Sequence, residues 1–158
     1  ISHTTRQPRQ GETDGVQYHF VTREKFEEMI EKGELLEHTE VHGNYYGTSF
    51  EAIRAVEKSG KICILDVNID GAIAVYNSDM KPFIILLKPV SFELLERRLR
   101  GRATETEEQI QRRLNTTRAE LPRYEENKEI FNLEIVNDRL DSTIVLLQKE
   151  LFKHYPLP

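Results

Sequence analysis

Cysteine is almost absent from this chain: Cys63 stands alone among 158 residues. One thiol rules out an internal disulfide framework and fits a reducing compartment. It lies in the apolar run Ile62-Cys63-Ile64-Leu65, where a buried core position outweighs a reactive thiol. No apolar stretch approaches the length of a membrane span, and none of these residues reads as a signal peptide. A cytoplasmic protein without a membrane partner is therefore expected. The five histidines lack metal-ligand spacing, so no zinc site is implied. Positive charge is not in excess either. With a formal net charge of −5, a general nucleic-acid-binding surface is not favoured, and the basic residues are clustered instead. Internal repeats and low-complexity tracts are missing. The first residue is Ile1 rather than methionine, in the middle of a polar motif, and further residues are expected upstream.

The length is enough for one compact domain with a real core. Hydrophobic residues at 38% and charged residues at 31% are ordinary for a soluble protein. The opening reads as a turn-rich loop held by Pro8, Gly11 and Gly15. Residues 16–21 read as a strand. Thr22 can cap a helix running to about Lys32, with Phe26, Met29 and Ile30 on one face and Gly33 at its end. Residues 35–41 read as a strand, Gly43-Asn44 as a turn, and Ser49 as the cap of a second helix with Ile53 and Val56 inward. The pattern then changes. Residues 62–66 and 83–87 are continuous apolar runs, which suit parallel strands buried on both faces. Helical segments follow each, over residues 71–77 and 91–100. Thr106 and Gln109 make a capping box for a long polar helix ending near Tyr124. Residues 133–136 form a last short strand, and residues 141–154 a terminal helix with Ile144, Leu147 and Leu151 inward. Strand–helix alternation in the second half implies an α/β core behind a smaller mixed-sheet excursion. The charged stretch 101–118 has too few apolar residues for a core, and a mobile lid fits it better.

Several residues carry chemistry. Arg6 and Arg9 lie three apart, stiffened by Pro8 and opened by Gly11, and can converge on one phosphate. The guanidinium fork suits phosphate because it donates in pairs and stays charged. Two surface arginines alone would ordinarily be a solvated turn, but Tyr18, Tyr46 and Gly47 stand near them. Tyrosine hydroxyls add neutral donors, and Glu37 near a strand end can read a base edge. The set describes a pocket for a nucleoside monophosphate. Asp66 ends an apolar strand, where open α/β sheets place ligands. It can hold Mg²⁺ through water, or simply cap a helix or turn.

Three blocks carry a resemblance. The first is Ser2-His3-Thr4-Thr5-Arg6-Gln7-Pro8-Arg9-Gln10-Gly11-Glu12 with Asp14-Gly15, Tyr18 and Gly43-Asn44-Tyr45-Tyr46-Gly47-Thr48. The second is Arg98 and Arg102 with Thr104-Glu105-Thr106-Glu107-Glu108 through Arg113. The third is Ile64-Leu65-Asp66-Val67-Asn68 with Gly71. Together, from Ser2 to about Leu151, they closely resemble guanylate kinase, the family that phosphorylates GMP with ATP.

The resemblance implies an α/β fold: a P-loop nucleoside-monophosphate-kinase-like parallel sheet core, a mixed β GMP-binding subdomain and a helical lid. It divides the chain into a GMP-binding part at 1–50 with the start of the core, core at 51–100, lid at 101–118 and core at 119–158. It puts Arg6, Arg9, Tyr18 and Tyr46 on the GMP phosphate. Glu12 matches an acid whose job is to orient the arginines, since a carboxylate beside phosphate would repel it. Glu37 accepts hydrogen bonds from guanine N1–H and amino group, with Ser2 and Thr48 also on the base. The family pattern Asp-x-Asp-x-x-Gly is altered here to Asp66, Asn68 and Asp70. Asn68 loses a charge near the guanine amino group, though its side-chain carbonyl can still accept. Arg98, Arg102 and Arg113 are implied on the ATP phosphates and the transferred group, because phosphoryl transfer is mostly positioning and charge neutralisation. Asn137 matches a position beside the adenine. Arg97, Arg100, Arg112 and Arg118 are left as surface residues. Mg²⁺ with ATP is the implied cofactor, near Asp66. GMP and ATP are the implied partners, and a monomer or weak homodimer is expected.

A kinase of this class needs a P-loop, Gly-x-x-x-x-Gly-Lys-[Ser/Thr], whose backbone N–H groups cradle phosphates. No such segment occurs among the 158 residues. The full-length protein is expected to be the kinase and this chain alone to be inactive. The rival reading is a non-catalytic guanylate-kinase-like domain of a membrane-associated scaffold, using the same groove for peptides. The ATP-side residues Arg102, Thr104–Glu108 and Arg113 favour the enzyme, since a peptide binder has no need of them.

Overall fold

The computed structural model describes residues 1–41, 43–101 and 106–155. These pack as two units, Ile1–Pro82 and Phe83–Pro158.

The first unit is built on a four-stranded sheet. Its strands are β1 (His3–Thr4), β2 (His19–Phe20), β3 (Leu35–Val41) and β4 (Asn44–Ser49). Their order is β2-β1-β4-β3, with β1 parallel to β2 and the other pairs antiparallel. Helix α1 (Arg23–Glu31) starts where Thr22 accepts from the Lys25 N–H, as its cap position predicts. Phe26 and Met29 turn inward from it, Phe26 with no exposed surface. Burial of such a side chain stabilises by roughly 1.5–3 kcal/mol. Its ring stacks on Tyr45 at 5.2 Å.

Glu37 and Thr39 pair with Thr48 and Tyr46 across the ladder, so all four share one face. Tyr45 points to the other. A bulge between Leu35 and Glu37 leaves Leu36 as an extra residue. It joins Ile53 of α2 (Phe50–Lys58) and Val75 of α3 (Ile69–Tyr76) in a core flanked by Phe50, Cys63, Leu65 and Met80. Cys63 is partly buried at the edge of this core, not buried within it, and that burial pushes its thiol above the usual range. Gly47 is obligatory for space: a Cβ there would lie 2.7 Å from the Glu37 carbonyl oxygen and 3.0 Å from Phe26 Cζ.

The second unit holds β5 (Ile85–Pro89) and β6 (Leu133–Asn137), which pair in parallel. Helices α4 (Phe92–Gly101), α5 (Glu107–Glu126) and α6 (Leu140–His154) complete it. The capping box forms: Gln109 N–H donates to Thr106 Oγ1 at 3.3 Å and Thr106 N–H to Gln109 Oε1 at 2.8 Å. The longest helix is amphipathic and polar, and no helix among the described residues is long and apolar enough to cross a membrane.

Five expectations need correction. The strand predicted at 16–21 shrinks to His19–Phe20, and Val16 is 60% exposed. Residues 62–66 form no strand, and Ile64 is 76% exposed. A strand exists only with a ladder partner, and no described segment pairs with this run. The run at 83–87 is displaced to Ile85–Pro89 because Asn132 Oδ1 takes the Ile84 N–H at 2.7 Å, just ahead of the ladder. It is covered on one face only, with Leu86 buried and Leu87 50% exposed. The stretch 101–118 does contribute a core, since Ile110 and Leu114 are buried against Leu99. On α6 Thr143 is buried, whereas Ile144 is 43% exposed.

Candidate functional site

The loop after β1 is folded around a carboxylate. Glu12 accepts from both ends of the Arg6 fork, Nη1 at 2.9 Å and Nη2 at 3.0 Å, and from the Arg9 backbone N–H at 2.6 Å. These contacts hold the Glu12 carboxyl below its usual range, the Arg6 hydrogen bonds first and the Arg9 N–H second. Arg6 is anchored from below as well. Its guanidinium lies 5.5 Å from the Tyr18 ring centroid and 5.6 Å from that of Phe20. Tyr18 meets Tyr46 edge-on at 6.0 Å. Arg9 remains solvent-exposed. One arginine is thus fixed by a salt bridge and aromatic packing, and a second stands three residues away. Such a loop can present two guanidinium groups to one anion.

Threonines tie this loop to the sheet. Thr4, fully buried, donates its hydroxyl to the Tyr45 carbonyl at 2.9 Å and receives the Arg6 N–H at 3.2 Å. Thr5 Oγ1 receives the Tyr45 N–H at 2.9 Å. Sequence reasoning passed over both, although their place between Ser2 and Arg6, at the end of β1, was a usable signal.

The same sheet face carries a buried acid. Glu37 is 7% exposed, and burial pushes its carboxyl above the usual range, opposed by a hydrogen bond from Thr48. Thr48 and Ser2 exchange a hydroxyl bond of 3.0 Å. A Cβ on Gly71 would sit 3.4 Å from Glu37 Oε2 and 2.8 Å from Val67 Cβ, so the glycine keeps the space beside the carboxylate open. A carboxylate sunk in this way calls for further donors, and a ligand with paired N–H groups supplies them.

Asn68 has a duty inside the fold. It is the N-cap of α3: its Oδ1 accepts the Gly71 N–H at 3.0 Å, and its Nδ2 donates to Thr39 Oγ1 at 3.4 Å. The side-chain carbonyl gives the helix one of its two acceptor positions. The capping role considered for Asp66 therefore belongs to Asn68. Asp66 itself is exposed, and the described residues contain no cluster of three acid, histidine or cysteine groups around a common point.

In the second unit, Arg98 donates to two main-chain carbonyls, Nη1 to Asn137 at 2.8 Å and Nη2 to Asp138. Asn137 Oδ1 accepts from Thr143 Oγ1 at 3.2 Å. Nothing in the sequence signalled Thr143. Arg113 is exposed on α5. Arg102, with Thr104 and Glu105, lies outside the described residues. The arginines left as surface residues behave so: Arg100 pairs with Glu96 and Glu107, Arg112 with Glu108, Arg118 lies 4.3 Å over the Phe92 ring, and Arg97 is exposed.

Comparison with known proteins follows the same lines. A family model described as guanylate kinase matches residues 1–154. Guanylate kinase 1 of Oryza sativa subsp. japonica is 50% identical over 151 residues, covering 96% of this chain and 39% of the rice protein. The guanylate kinase of Sus scrofa is 44% identical over 153 residues, covering 96% of this chain and 76% of the pig protein. Among solved structures, guanylate kinase from Anaplasma phagocytophilum superposes with a TM-score of 0.73 at 28% identity, covering 99% of this chain and 75% of that one. The chain thus spans well under half of the rice relative and about three quarters of the pig one.

Proposed function

The chain belongs to the guanylate kinase family, and we propose that the full-length protein is an ATP:GMP phosphotransferase. The observation that carries this reading is one sheet face holding two complementary sites. An arginine loop clasped by Glu12 suits a phosphate, and the buried Glu37 suits paired base donors.

Arg6 and Arg9, with the Tyr18 and Tyr46 hydroxyls, take the phosphate of GMP. Glu12 keeps Arg6 extended before substrate arrives, so less ordering is needed on binding. Glu37 accepts from guanine N1–H and amino group, with Ser2 and Thr48 completing the base site. Adenine offers a bare acceptor at N1 and would leave the carboxylate unpaired. Asn68 supports this site through the Thr39 contact and the α3 cap. The GMP phosphate oxygen is already anionic, so no general base is needed. It attacks the γ-phosphorus in line, the bond to the β-phosphate oxygen breaks, and GDP and ADP result. Arg102 and Arg113 neutralise charge on the moving group. Arg98 and Asn137 belong to the ATP side. A divalent metal carried with ATP supplies further neutralisation of the phosphates. Asp66 fits such an ion, being an accessible single carboxylate, the usual protein share where water and phosphate provide the other ligands. A cytoplasmic location and a monomer or weak homodimer complete the proposal. No observation favours the scaffold reading.

The test is coupled ADP release. The full-length protein should turn over ATP only when GMP is present. Ile1–Pro158 alone should not, because no side chain in it replaces a backbone phosphate cradle. GMP-dependent turnover by the short chain, or none by the full-length protein, would refute this reading.

A further inference from the structure

Arg98 occupies the last turn of α4 and is half-buried. Its two Nη groups reach consecutive carbonyls, those of Asn137 and Asp138, where β6 ends and the chain turns into α6. Asn137 is also in register with Pro89 at the end of the β5–β6 ladder. The cap residue of α6, Arg139, makes no side-chain capping bond. Within the turn, the Asp138 N–H reaches back to the Val136 carbonyl at 3.1 Å. The Asn137 side chain is in turn oriented by the buried Thr143, whose hydroxyl donates to Oδ1. Once Oδ1 is an acceptor for Thr143, the Asn137 amide NH₂ is the group left to face a ligand as donor.

We propose that Arg98 is a positioning residue of the donor-nucleotide base site: it sets the Asn137–Asp138 turn, and through it Asn137, instead of holding ATP phosphates. This rests on the guanylate kinase reading, which puts Asn137 beside the adenine. The planar fork is what the role requires. Two nitrogens on one rigid plane each meet one of two successive carbonyls, a fixed spacing that the single nitrogen of a lysine ammonium does not reproduce.

The two roles separate on donor selectivity. In the full-length protein, Arg98→Lys keeps the charge and loses the fork. We expect its kcat/KM for ATP to fall about 10-fold, the scale of one charge-assisted hydrogen bond. The fall should appear in the KM for ATP. With UTP as phosphoryl donor, where Asn137 has no adenine to read, kcat/KM should stay within about 2-fold, and the KM for GMP should not move. Thr143→Val, which leaves Arg98 untouched, should reproduce the ATP-specific loss. Arg98→Lys combined with Asn137→Ala should be no worse than Asn137→Ala alone, as for residues acting through one another. Equal losses for ATP and UTP, a loss confined to kcat, or additive effects in the double variant would overturn the proposal. Thermal unfolding of each variant identifies one that fails to fold, and Thr143→Val then decides. A wild-type protein without GMP-dependent turnover would defeat the kinase reading itself, before any variant is compared.

Discussion

Replacing Glu37 with glutamine probes the base site with almost no change in shape. Glu37 is 7% exposed, and its carboxyl is raised because burial disfavours the charge. The substitution has two opposite consequences. In the ligand-free protein it removes a buried charge. A carboxyl whose folded pKa lies above its unfolded value contributes stability fully present below the unfolded value, near 4.5, and lost as pH rises through the folded one. Above the folded value the wild type has lost that contribution, so at such pH Glu37→Gln should leave the thermal midpoint unchanged or higher. The Thr48 hydrogen bond survives, since the amide oxygen still accepts. With GMP the balance reverses. One acceptor oxygen becomes an NH₂ that faces a donor on the base, and a charge-assisted bond worth roughly 1.5–3 kcal/mol disappears. That corresponds to about a 10- to 150-fold rise in the KM for GMP, while the KM for ATP stays level. Steady-state kinetics of the full-length protein, with nucleotide-free thermal melts alongside, read both arms. A lowered midpoint together with equal losses for GMP and ATP would show that Glu37 is structural and the reasoning wrong.

Two further outcomes follow from the same geometry. Arg113→Ala should lower kcat by at least ~10²-fold with little change in either KM, because its contact strengthens as charge moves onto the transferred phosphoryl; a normal kcat would remove Arg113 from the catalytic set. Gly47→Ala forces a methyl group to within 2.7 Å of the Glu37 carbonyl oxygen and should destabilise by about 1–3 kcal/mol, seen as a lower urea midpoint at unchanged slope. An unchanged midpoint would mean that β3 and β4 yield more easily than their packing implies.

Local signals survived translation into structure. Thr22, Ser49 and Thr106 cap the helices their positions announce, because a cap needs only the next three residues. Strand β3 runs from Leu35 to Val41 as read, since its hairpin partner follows within a few residues. Readings that depended on distant partners fared worse. The run at 62–66 has strand composition but no ladder among the described residues. Ile110 and Leu114 were outvoted by the charge around them, although their spacing of four marks one helix face and Leu99 covers it. Asn68 was judged by the charge it lacks, whereas its place three residues before Gly71 makes it a cap. The Arg6–Glu12 clasp was legible because it closes within six residues. The Arg98 fork joins residues about forty apart, and nothing near Arg98 in the sequence points to Asn137 or Asp138.

One sheet face is proposed to select GMP by joining a phosphate-gripping loop to a buried acid for guanine. Its most direct test is the ratio of kcat/KM for GMP to that for AMP in the full-length protein, with ATP as donor and both products quantified. ADP and GDP should form in equal amounts from GMP, with a preference for GMP approaching ~10⁴-fold, the range reached when the wrong base leaves a buried polar group unpaired. Comparable turnover of AMP and GMP, or a protein that binds phosphopeptide and turns over neither, would contradict it.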